Sequence, residues 1–493
     1  VFSVCVAFVL CAFASVASAR TIYVPDDYAK IQWAVDSATA GDTIIVRDGV
    51  FHENIIVYKR LTLRSENGSE NCIVQYSYDY VFYVTADHVN IYGFTIKDGV
   101  SGIYLYNVEN CNIANNNISN NDDGISLWYS SNNSITGNNI SNNDDGICLE
   151  CSSNNKITGN NISNNNNDGI SLWYSSNNSI TGNNISNNNW YGIFLWYSSN
   201  NSITGNTMTN DSVSIYGDKR HWNTHIIEDN TVNGKPLYYF KDRIGGKVPE
   251  DAGQVILANC TGMLVENLNI RNTDVGIEIG FSSQNIIKNN NISNNDDDGI
   301  CLEYSSNNSI TGNNISNNNW YGISLWYSSN NSITGNNISD NRDNGIYMED
   351  SSNNSITDNN ISNNYWKGID LDYSSNNSIT DNNISNNCWG IYLRHSSENS
   401  ITGNNISDNW CGISLRYSSN NSITGNNISD NWNDGISLWY SSNNSITGNN
   451  ISDNWNDGIF LGRSSDNVIY LNNFINNAES AYSYDSTNIW NST

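Results

Sequence analysis

Basic side chains are scarce in this sequence. The 493 residues include 21 lysines and arginines against 49 aspartates and glutamates, which gives a formal net charge of −28 at pH 7. Nucleic-acid binding needs a basic footprint, and anionic membrane surfaces attract clusters of lysine and arginine. The composition therefore argues against both partners and leaves neutral or cationic soluble ones.

Ligands for soft metals are scarce as well. The chain has five histidines and three methionines, and they are scattered. Copper sites are built from clusters of histidine, methionine and cysteine, so no copper is expected. Of the ten cysteines, all but Cys5 and Cys11 follow residue 19, without metal-knuckle spacing. Cys388 and Cys411, one repeat apart near the same turn, are the best disulfide candidates.

Helical spacing of apolar residues is missing from most of the chain, and a repeat takes its place. Near-copies of residues 132–154 follow one another, anchored by an isoleucine that recurs every 22 to 24 residues, with a single step of 38 between Ile227 and Val265. A fixed period in this range marks a solenoid, in which each coil contacts its neighbours and all share one core. We therefore expect one elongated domain.

The pattern inside a coil identifies the kind of solenoid. Gly-Ile-x-Leu, as in Ile147 and Leu149, alternates with period two, which is strand spacing. Asn, Ser, Asp and Gly, which favour tight turns, fill the segments between. Three short strands in about 22 residues predict an all-β parallel β-helix, in which each strand pairs with its counterpart one coil away at ~4.8 Å.

Two repeated polar features fit this geometry. One asparagine recurs in each coil, as at Asn138, Asn160 and Asn183, and we expect these amides to stack and hydrogen-bond as a ladder. An Asp-Gly or Asn-Gly step, as at Gly124 and Gly146, precedes the third strand. We expect it to supply a residue with positive φ where the chain re-enters the sheet.

The first residues have the character of a targeting segment. An apolar run ends in Ala17-Ser18-Ala19, which predicts a signal peptide over residues 1–19. The alternative is an uncleaved membrane anchor, for which the run is short.

Residues 20–42 are expected to cap the solenoid. They hold an amphipathic helix with Ile31 and Val35 on one face and with Asp26 or Asp27 as N-cap. A solenoid exposes strand edges and apolar core at its ends, and a helix laid over the first coil would close one of them.

The long step divides the remaining chain. We place the β-helix at 43–478, with an enlarged loop at 241–254, and a C-terminal tail at 479–493, leaving open whether the chain continues. Six of the 21 basic residues fall within 219–247. A role beyond that of the repeats would lie here; the alternative is a loop that stabilises the middle of the stack.

At this point the sequence resembles a known family. Residues 31–36, 41–46 and 53–57, followed by the repeats, are similar to the right-handed parallel β-helix (pectin-lyase-like) superfamily. Within it they resemble archaeal cell-surface proteins with repeats like those of the periplasmic copper-maturation protein NosD. Residues 230–240 and 252–260 are similar to a module that these proteins carry. The resemblance covers nearly the whole chain and implies a right-handed coil and a secreted or cell-surface location.

Tryptophans recur four residues after the coil glycine. Because Leu127 points inward, Trp128 is expected to point outward, with Trp173 and Trp196 side by side on neighbouring coils. Exposed aromatic rings flanked by Asn, Asp and Ser suit sugar rings; the alternative is an aromatic ladder that rigidifies the solenoid. The residues predicted to bind carbohydrate are Trp128, Trp173, Trp196, Trp326 and Trp439.

A catalytic site is less well indicated. Glycosidases, lyases and epimerases need unique carboxylates, or a base with an electrophilic partner, in one cleft, whereas the aspartate pairs here recur with the repeat. The tripeptide 272–274, Asn-Thr-Asp, resembles one polygalacturonase motif, but the Gly-His-Gly and Arg-Ile-Lys motifs of that family are absent.

Calcium is the one metal that the pattern suggests. Asp122, Asp123, Asp144 and Asp145 would place hard oxygen ligands on adjacent coils. The alternative is that these aspartates only form turns.

The sequence therefore predicts a secreted or cell-surface structural and adhesive module, either a monomer or a surface array, that binds a polysaccharide or cell-surface glycan. The alternative is a polysaccharide lyase, glycoside hydrolase or epimerase with its cleft near residues 219–254.

Overall fold

In the computed structural model, which describes residues 19–490, the chain winds as a right-handed parallel β-helix. One coil comprises the strands Ser134–Thr136, Asn139–Ser141 and Asp145–Glu150, which belong to sheets 1, 2 and 3 respectively. Ile135 lies opposite Ile157 in the next coil, so equivalent residues stack. The predicted all-β fold is confirmed; the predicted signal peptide lies outside the described residues except for its last position.

Sheet 3 is central to the candidate site because its strands carry the tryptophans predicted to bind carbohydrate, such as Trp128 and Trp439. Its strands up to residue 216 are Ile55–Val57, Phe82–Val84, Ser101–Tyr106, Asp123–Trp128, Asp145–Glu150, Ile170–Trp173, Ile193–Trp196 and Val213–Tyr216. The later ones are Lys235–Lys241, Gln254–Ala258, Ile277–Gly280, Ile300–Glu303, Ile323–Trp326, Ile346–Glu349, Lys367–Asp372, Trp389–Arg394, Cys411–Arg416, Ile436–Trp439, Asp457–Gly462 and Glu479–Tyr484.

The stack divides into two arms instead of forming one column. One hydrophobic core follows the N-terminal arm, residues 20–232, and a second follows the C-terminal arm, residues 235–490. Between them Val232 pairs antiparallel with Lys235, which reverses the chain direction. Ile256, on the second strand of the C-terminal arm, faces outward and belongs to the core of the N-terminal arm.

The arms lie side by side where they meet, in a region that we call the joint. Gln254, early in the C-terminal arm, exchanges hydrogen bonds with the backbone of Val213. One to two coils later, Asp297 accepts a hydrogen bond from the Tyr191 hydroxyl at 2.7 Å. As the chain advances along the C-terminal arm, it contacts progressively earlier residues of the N-terminal arm, so the two arms run in opposite directions. The enlarged loop predicted at 241–254 lies here and contains a strand, Ile244–Lys247.

Two short helices occur in the described residues, Ile31–Ser37 and Lys219–Asn223. The first covers the end of the stack with Ile31 buried. The predicted N-cap is wrong: the Glu53 carboxylate accepts from the N–H groups of Ile31 and Gln32 at 3.0 Å, while Asp27 accepts from Tyr23. Neither helix is long and apolar enough to cross a membrane.

The predicted asparagine ladder is confirmed. The Asn138 side chain donates to the Asn160 amide oxygen at 3.0 Å and to the Ile113 carbonyl at 3.0 Å, and its own oxygen accepts from Asn116. Each amide is buried, so the ladder satisfies backbone groups that would otherwise lack partners. The asparagines are therefore structural.

The cysteines that the structure describes are free. Cys411 pairs in register with Trp389, not with Cys388, because this coil is one residue shorter. The two thiols are displaced by one position, and the disulfide expected between them is absent.

At the end of the chain, residues 479–490 continue the solenoid. Glu479–Tyr484 pairs in parallel with Asp457–Gly462, and Ile489 bridges to Val468. The segment predicted as a tail thus adds a strand to sheet 3 and a bridge to sheet 1, and its sequence departs from the repeat.

The coil glycine was predicted to precede the third strand, but Gly146 lies inside the strand Asp145–Glu150 and has a different role from the predicted one. Gly146 is not among the residues with positive φ; those include Asn142 and Gly159. A Cβ on Gly146 would lie 2.4 Å from the carbonyl oxygen of Gly169 and 2.8 Å from Ile162. The position needs glycine because neighbouring coils approach closely.

This packing makes a prediction for Gly146→Ala. The added methyl must displace backbone, so we expect a loss of about 2–3 kcal/mol, the upper part of the usual cost of overpacking. Gly159→Ala is the control: its φ is +62° with nothing within 4 Å, so only roughly 1 kcal/mol of backbone strain is expected. Denaturant unfolding measures both, and equal losses would contradict the packing explanation.

Candidate functional site

Outward aromatic residues follow sheet 3 of the N-terminal arm, as predicted. The Trp173 and Trp196 rings lie 5.2 Å apart at 36°, and Trp196 stacks on Tyr216 at 4.0 Å. Trp128 stands apart because Glu150 occupies the coil between it and Trp173. In register, this row reads Tyr106, Trp128, Glu150, Trp173, Trp196 and Tyr216.

The same row in the C-terminal arm is mostly charged. Trp326 and Trp439 are separated by four coils, and Trp326 instead packs edgewise on Tyr347 at 5.1 Å. The structure therefore does not bring these two tryptophans together. In register, the row reads Glu303, Trp326, Glu349, Asp372, Arg394, Arg416, Trp439 and Gly462.

Trp439 instead forms one wall of a hollow on sheet 3, which we call the aromatic pit. The small outward residues Ser414 and Ser437 form its floor, and Tyr392 and Phe460 close it along the axis. The pit has a cavity volume of about 600 Å³. Its lining residues are Trp389, Tyr392, Trp410, Cys411, Ser414, Arg416, Asn433, Asp434, Ser437, Trp439, Tyr440, Asn456 and Phe460.

The walls of the pit come from the two ends of the strands. Trp410, 53% exposed, immediately precedes its strand, and Trp439, 40% exposed, ends the next one. Asn433 and Asn456 add amide groups beside the tryptophans. The pit thus combines flat apolar faces with hydrogen-bonding groups.

The two charged residues of the pit differ in their partners. The Asp434 carboxylate accepts from the Asn456 amide at 2.8 Å and from the Asp457 backbone at 3.3 Å, and burial raises its pKa. Within residues 19–490, Arg416 has no carboxylate at salt-bridge distance and lies over the Tyr417 ring, 5.7 Å from its centroid. Arg416 is the charge left to meet a ligand.

A second hollow adjoins the pit. It has a volume of about 420 Å³ and shares Trp389, Tyr392 and Arg416 with the pit. The two hollows, with Tyr392 between them, follow the axis of sheet 3 from Tyr321 to Phe460. This distance is six steps between strands, or roughly 29 Å, so the two hollows together suit an extended ligand.

A second aromatic row, which was not predicted from the sequence, follows the ends of the sheet 3 strands. The residue after the sheet 3 strand has positive φ, and Tyr373, His395, Tyr417 and Tyr440 stack in sequence with centroids 4.8 to 5.1 Å apart. Its signal was the Tyr-Ser-Ser that follows most strands. Tyr440 joins this row to the pit.

The aspartates predicted as possible calcium ligands take part in local hydrogen bonding. Asp123 lies opposite Asp145, and it accepts from the Ser126 hydroxyl at 2.6 Å. Asp145 accepts from the Asp168 N–H at 3.0 Å, while Asp122 and Asp144 are exposed. No cluster of three or more metal-ligating residues occurs in the part of the chain that the structure describes. Calcium binding stays a prediction.

The segment named for the alternative catalytic cleft, 219–254, forms part of the joint. Several of its cations have partners: Lys241 donates to the His225 carbonyl and Lys247 pairs with Glu250 and Glu266. Asp274, from the polygalacturonase-like tripeptide, is fully buried and accepts from the Gly192 and Ser212 N–H groups. The structure thus gives Asp274 a place between the arms and not in an open cleft.

The family model for the periplasmic copper-binding protein (NosD) matches residues 35–239 and 365–493, and that for a right-handed beta helix region matches 253–406. A cell surface glycoprotein of Methanothermus fervidus is 40% identical over 100 residues. That match covers 20% of this chain and 17% of the relative's length.

Solved structures that resemble the chain include enzymes. The periplasmic alginate epimerase AlgG is 13% identical, with 88% of this chain and 78% of that one covered and a TM-score of 0.33. The Azotobacter vinelandii mannuronan C-5 epimerase AlgE4 A-module is 12% identical, with 96% and 100% covered and a TM-score of 0.32. Identities this low give no information on activity.

The copper that the matching family model names requires ligands, and the described residues do not supply them. Met208, Met263 and Met348 are buried among core aliphatic residues. His225 is buried, with its Nδ1 accepting from the Asn201 N–H, and His395 stacks in the tyrosine row. These side chains are far from forming the cluster that copper needs.

Proposed function

This chain belongs to the NosD family and is a β-helix protein of the cell surface or the secreted fraction. We propose that it is a structural and adhesive module that binds polysaccharide in the aromatic pit. The observation that supports this proposal is the pit around Trp439. Two other predicted tryptophans, Trp173 and Trp196, stack on neighbours instead, which fits the alternative role of a stiffening ladder.

The chemistry of the pit favours sugar rings. Trp410 and Trp439 offer flat apolar faces on opposite sides, and sugar C–H faces pack on such rings. Ser414, Ser437 and Asn433 supply hydroxyl and amide partners for sugar hydroxyls. Its volume of about 600 Å³ lies in the usual range of ligand pockets, and the adjoining hollow would accommodate further units of a polymer.

The proposal predicts the effect of removing the walls. A Trp410→Ala/Trp439→Ala double variant is expected to lose binding at least about tenfold, because buried aromatic anchors each contribute roughly 2 kcal/mol or more. A glycan array identifies ligands of the wild type, and calorimetry with the best oligosaccharide measures the affinity.

Trp173→Ala is the matched control, since it removes an outward tryptophan of the other arm. Unchanged affinity in the control and loss in the double variant would support the pit. Loss in Trp173→Ala alone would move the site to the N-terminal arm. Release of shorter products from any polysaccharide would favour the alternative, a lyase, hydrolase or epimerase.

A further inference from the structure

We propose that the aromatic pit selects acidic sugars and that Arg416 binds their carboxylate. This inference rests on the proposed function, because it concerns the ligand class of the same site.

Arg416 is left uncompensated by the order of charges along its row. Asp372, Arg394 and Arg416 occupy the same position in three successive coils. Asp372 pairs with Arg394 through both guanidinium donors that face it. One coil further, Arg416 has an arginine on one side and Trp439 on the other. An anion at this point would relieve the repulsion between adjacent arginines.

Asp434, the other charged residue of the pit, is poorly placed to serve as that anion. Its Oδ1 accepts from both the Asn456 amide and the Asp457 backbone N–H, and within residues 19–490 the carboxylate forms no salt bridge with Arg416. Because burial raises its pKa, its ionised form is disfavoured relative to that of an exposed aspartate. The guanidinium of Arg416 therefore keeps its donors for a ligand.

A sugar carboxylate fits this guanidinium better than a hydroxyl does. Arginine presents a planar fork that binds a carboxylate through two hydrogen bonds. Because Arg416 is exposed, salt is expected to weaken this interaction by screening.

The outward rows of both arms carry acidic side chains, but Arg394 and Arg416 lie in the row of the C-terminal arm. The equivalent face of the N-terminal arm carries Asp123, Asp145 and Asp168 at the starts of its strands and Glu150 in the tryptophan row. That face would repel an acidic polymer. In a chain of net charge −28, the arginine without a carboxylate partner sets the pit apart from the acidic parts of both rows, which is why we assign selectivity to it.

The test compares one sugar with and without its charge. Trigalacturonic acid and its methyl ester differ at the carboxylates, and calorimetry in EDTA buffer removes bridging by divalent cations. We expect the wild type to bind the acid about tenfold more tightly than the ester, the usual gain from a charged hydrogen-bonded pair. Arg416→Gln should lose this preference while retaining its affinity for the ester.

Arg342→Gln is the matched control, because Arg342 is an exposed arginine of the same arm outside the pit. It should behave as the wild type, and 0.5 M salt should weaken binding of the acid alone. Equal affinity of the wild type for acid and ester, or an unchanged preference in Arg416→Gln, would overturn the inference while leaving the pit as a site for neutral sugars. Binding of neither these sugars nor any glycan of the array would overturn the proposed function as well.

Discussion

Replacing Asp274 by asparagine is expected to make the protein more stable than the wild type at pH 8. Asp274 is fully buried in the joint; its Oδ2 accepts from Gly192 at 2.8 Å and from Ser212 at 3.0 Å, while its Oδ1 has no partner. Burial raises its pKa well above the usual range. Asparagine retains an acceptor for the two N–H groups and removes the charge.

The direction of the effect follows from several carboxyls in and around the joint. Burial raises the pKa of Asp168 and of Glu303 to about 8, and burial with the charge of Asp274 raises that of Asp211 to about 10. In the unfolded chain these groups lose their protons near pH 4. The folded state therefore holds more protons from pH 4 upward, and its stability falls with rising pH.

The size of the fall is set by linkage. Between the pKa of such a group in the unfolded chain and its pKa in the folded chain, each pH unit lowers the free energy of unfolding by up to about 1.4 kcal/mol. The stability that these protonated carboxyls contribute is fully present below pH 4, and it is lost as the pH rises through their folded-state pKa values of about 8 to 10. Asp42 acts in the opposite sense: although it is buried, hydrogen bonds from Arg20 and Thr39 lower its pKa to about 2, so its contribution is lost only below pH 4. We expect maximum stability near pH 4 to 5.

Melting temperatures measured from pH 4.5 to 9 test this expectation. The wild-type Tm should fall across the range, and Asp274→Asn should flatten the curve and raise its alkaline end. Asp229→Asn, at an exposed position, serves as the charge control and should follow the wild type. A wild-type Tm that is constant over this range, or parallel curves for all three proteins, would show that the joint does not contain strained carboxyls.

Truncating Trp222 to alanine is expected to separate the two arms. This indole is 1% exposed and belongs to the core of the N-terminal arm, yet it fills the space above Gly280 of the C-terminal arm, where a Cβ would lie 2.2 Å from the ring. Loss of a buried tryptophan typically costs 3–5 kcal/mol because a cavity remains. Since each arm has its own core, we expect two unfolding transitions in place of one.

Calorimetric unfolding distinguishes this outcome from general destabilisation. Trp455→Ala removes a 74% exposed ring and should change stability by less than about 1 kcal/mol. A single transition in Trp222→Ala, shifted as a whole, would mean that the arms remain coupled through other contacts.

The coils could be predicted because their determinants are local and repeated. Ile135, Ile157 and Ile180 stack as the period requires, and Asn138 and Asn160 bond as their repetition indicates. The glycine at 146 was misinterpreted because sequence does not distinguish a residue chosen for its φ from one chosen for lack of space. The N-cap was misassigned because Glu53, its actual acceptor, lies 22 residues away.

The joint and the pit could not be predicted in this way. Asp274 occupies a position that faces solvent in an ordinary coil, and Gln254 lies opposite the coil glycine Gly276. Both residues bond to the other arm, and this side-by-side arrangement cannot be read from the repeat. The pit depends on small Ser414 and Ser437 between large Tyr392 and Phe460, in exact register across four coils. The tryptophan pattern indicated an outward face correctly but did not show which rings would share a cavity.

The near-identity of neighbouring coils affects how such a gene can change length. Gain or loss of one whole repeat in frame leaves every asparagine with an equivalent neighbour above and below. Each event would lengthen or shorten an arm by only ~4.8 Å and would leave the joint at its place. The distance between the joint and either tip can thus be adjusted in small steps by recombination between repeats, without redesign of the fold.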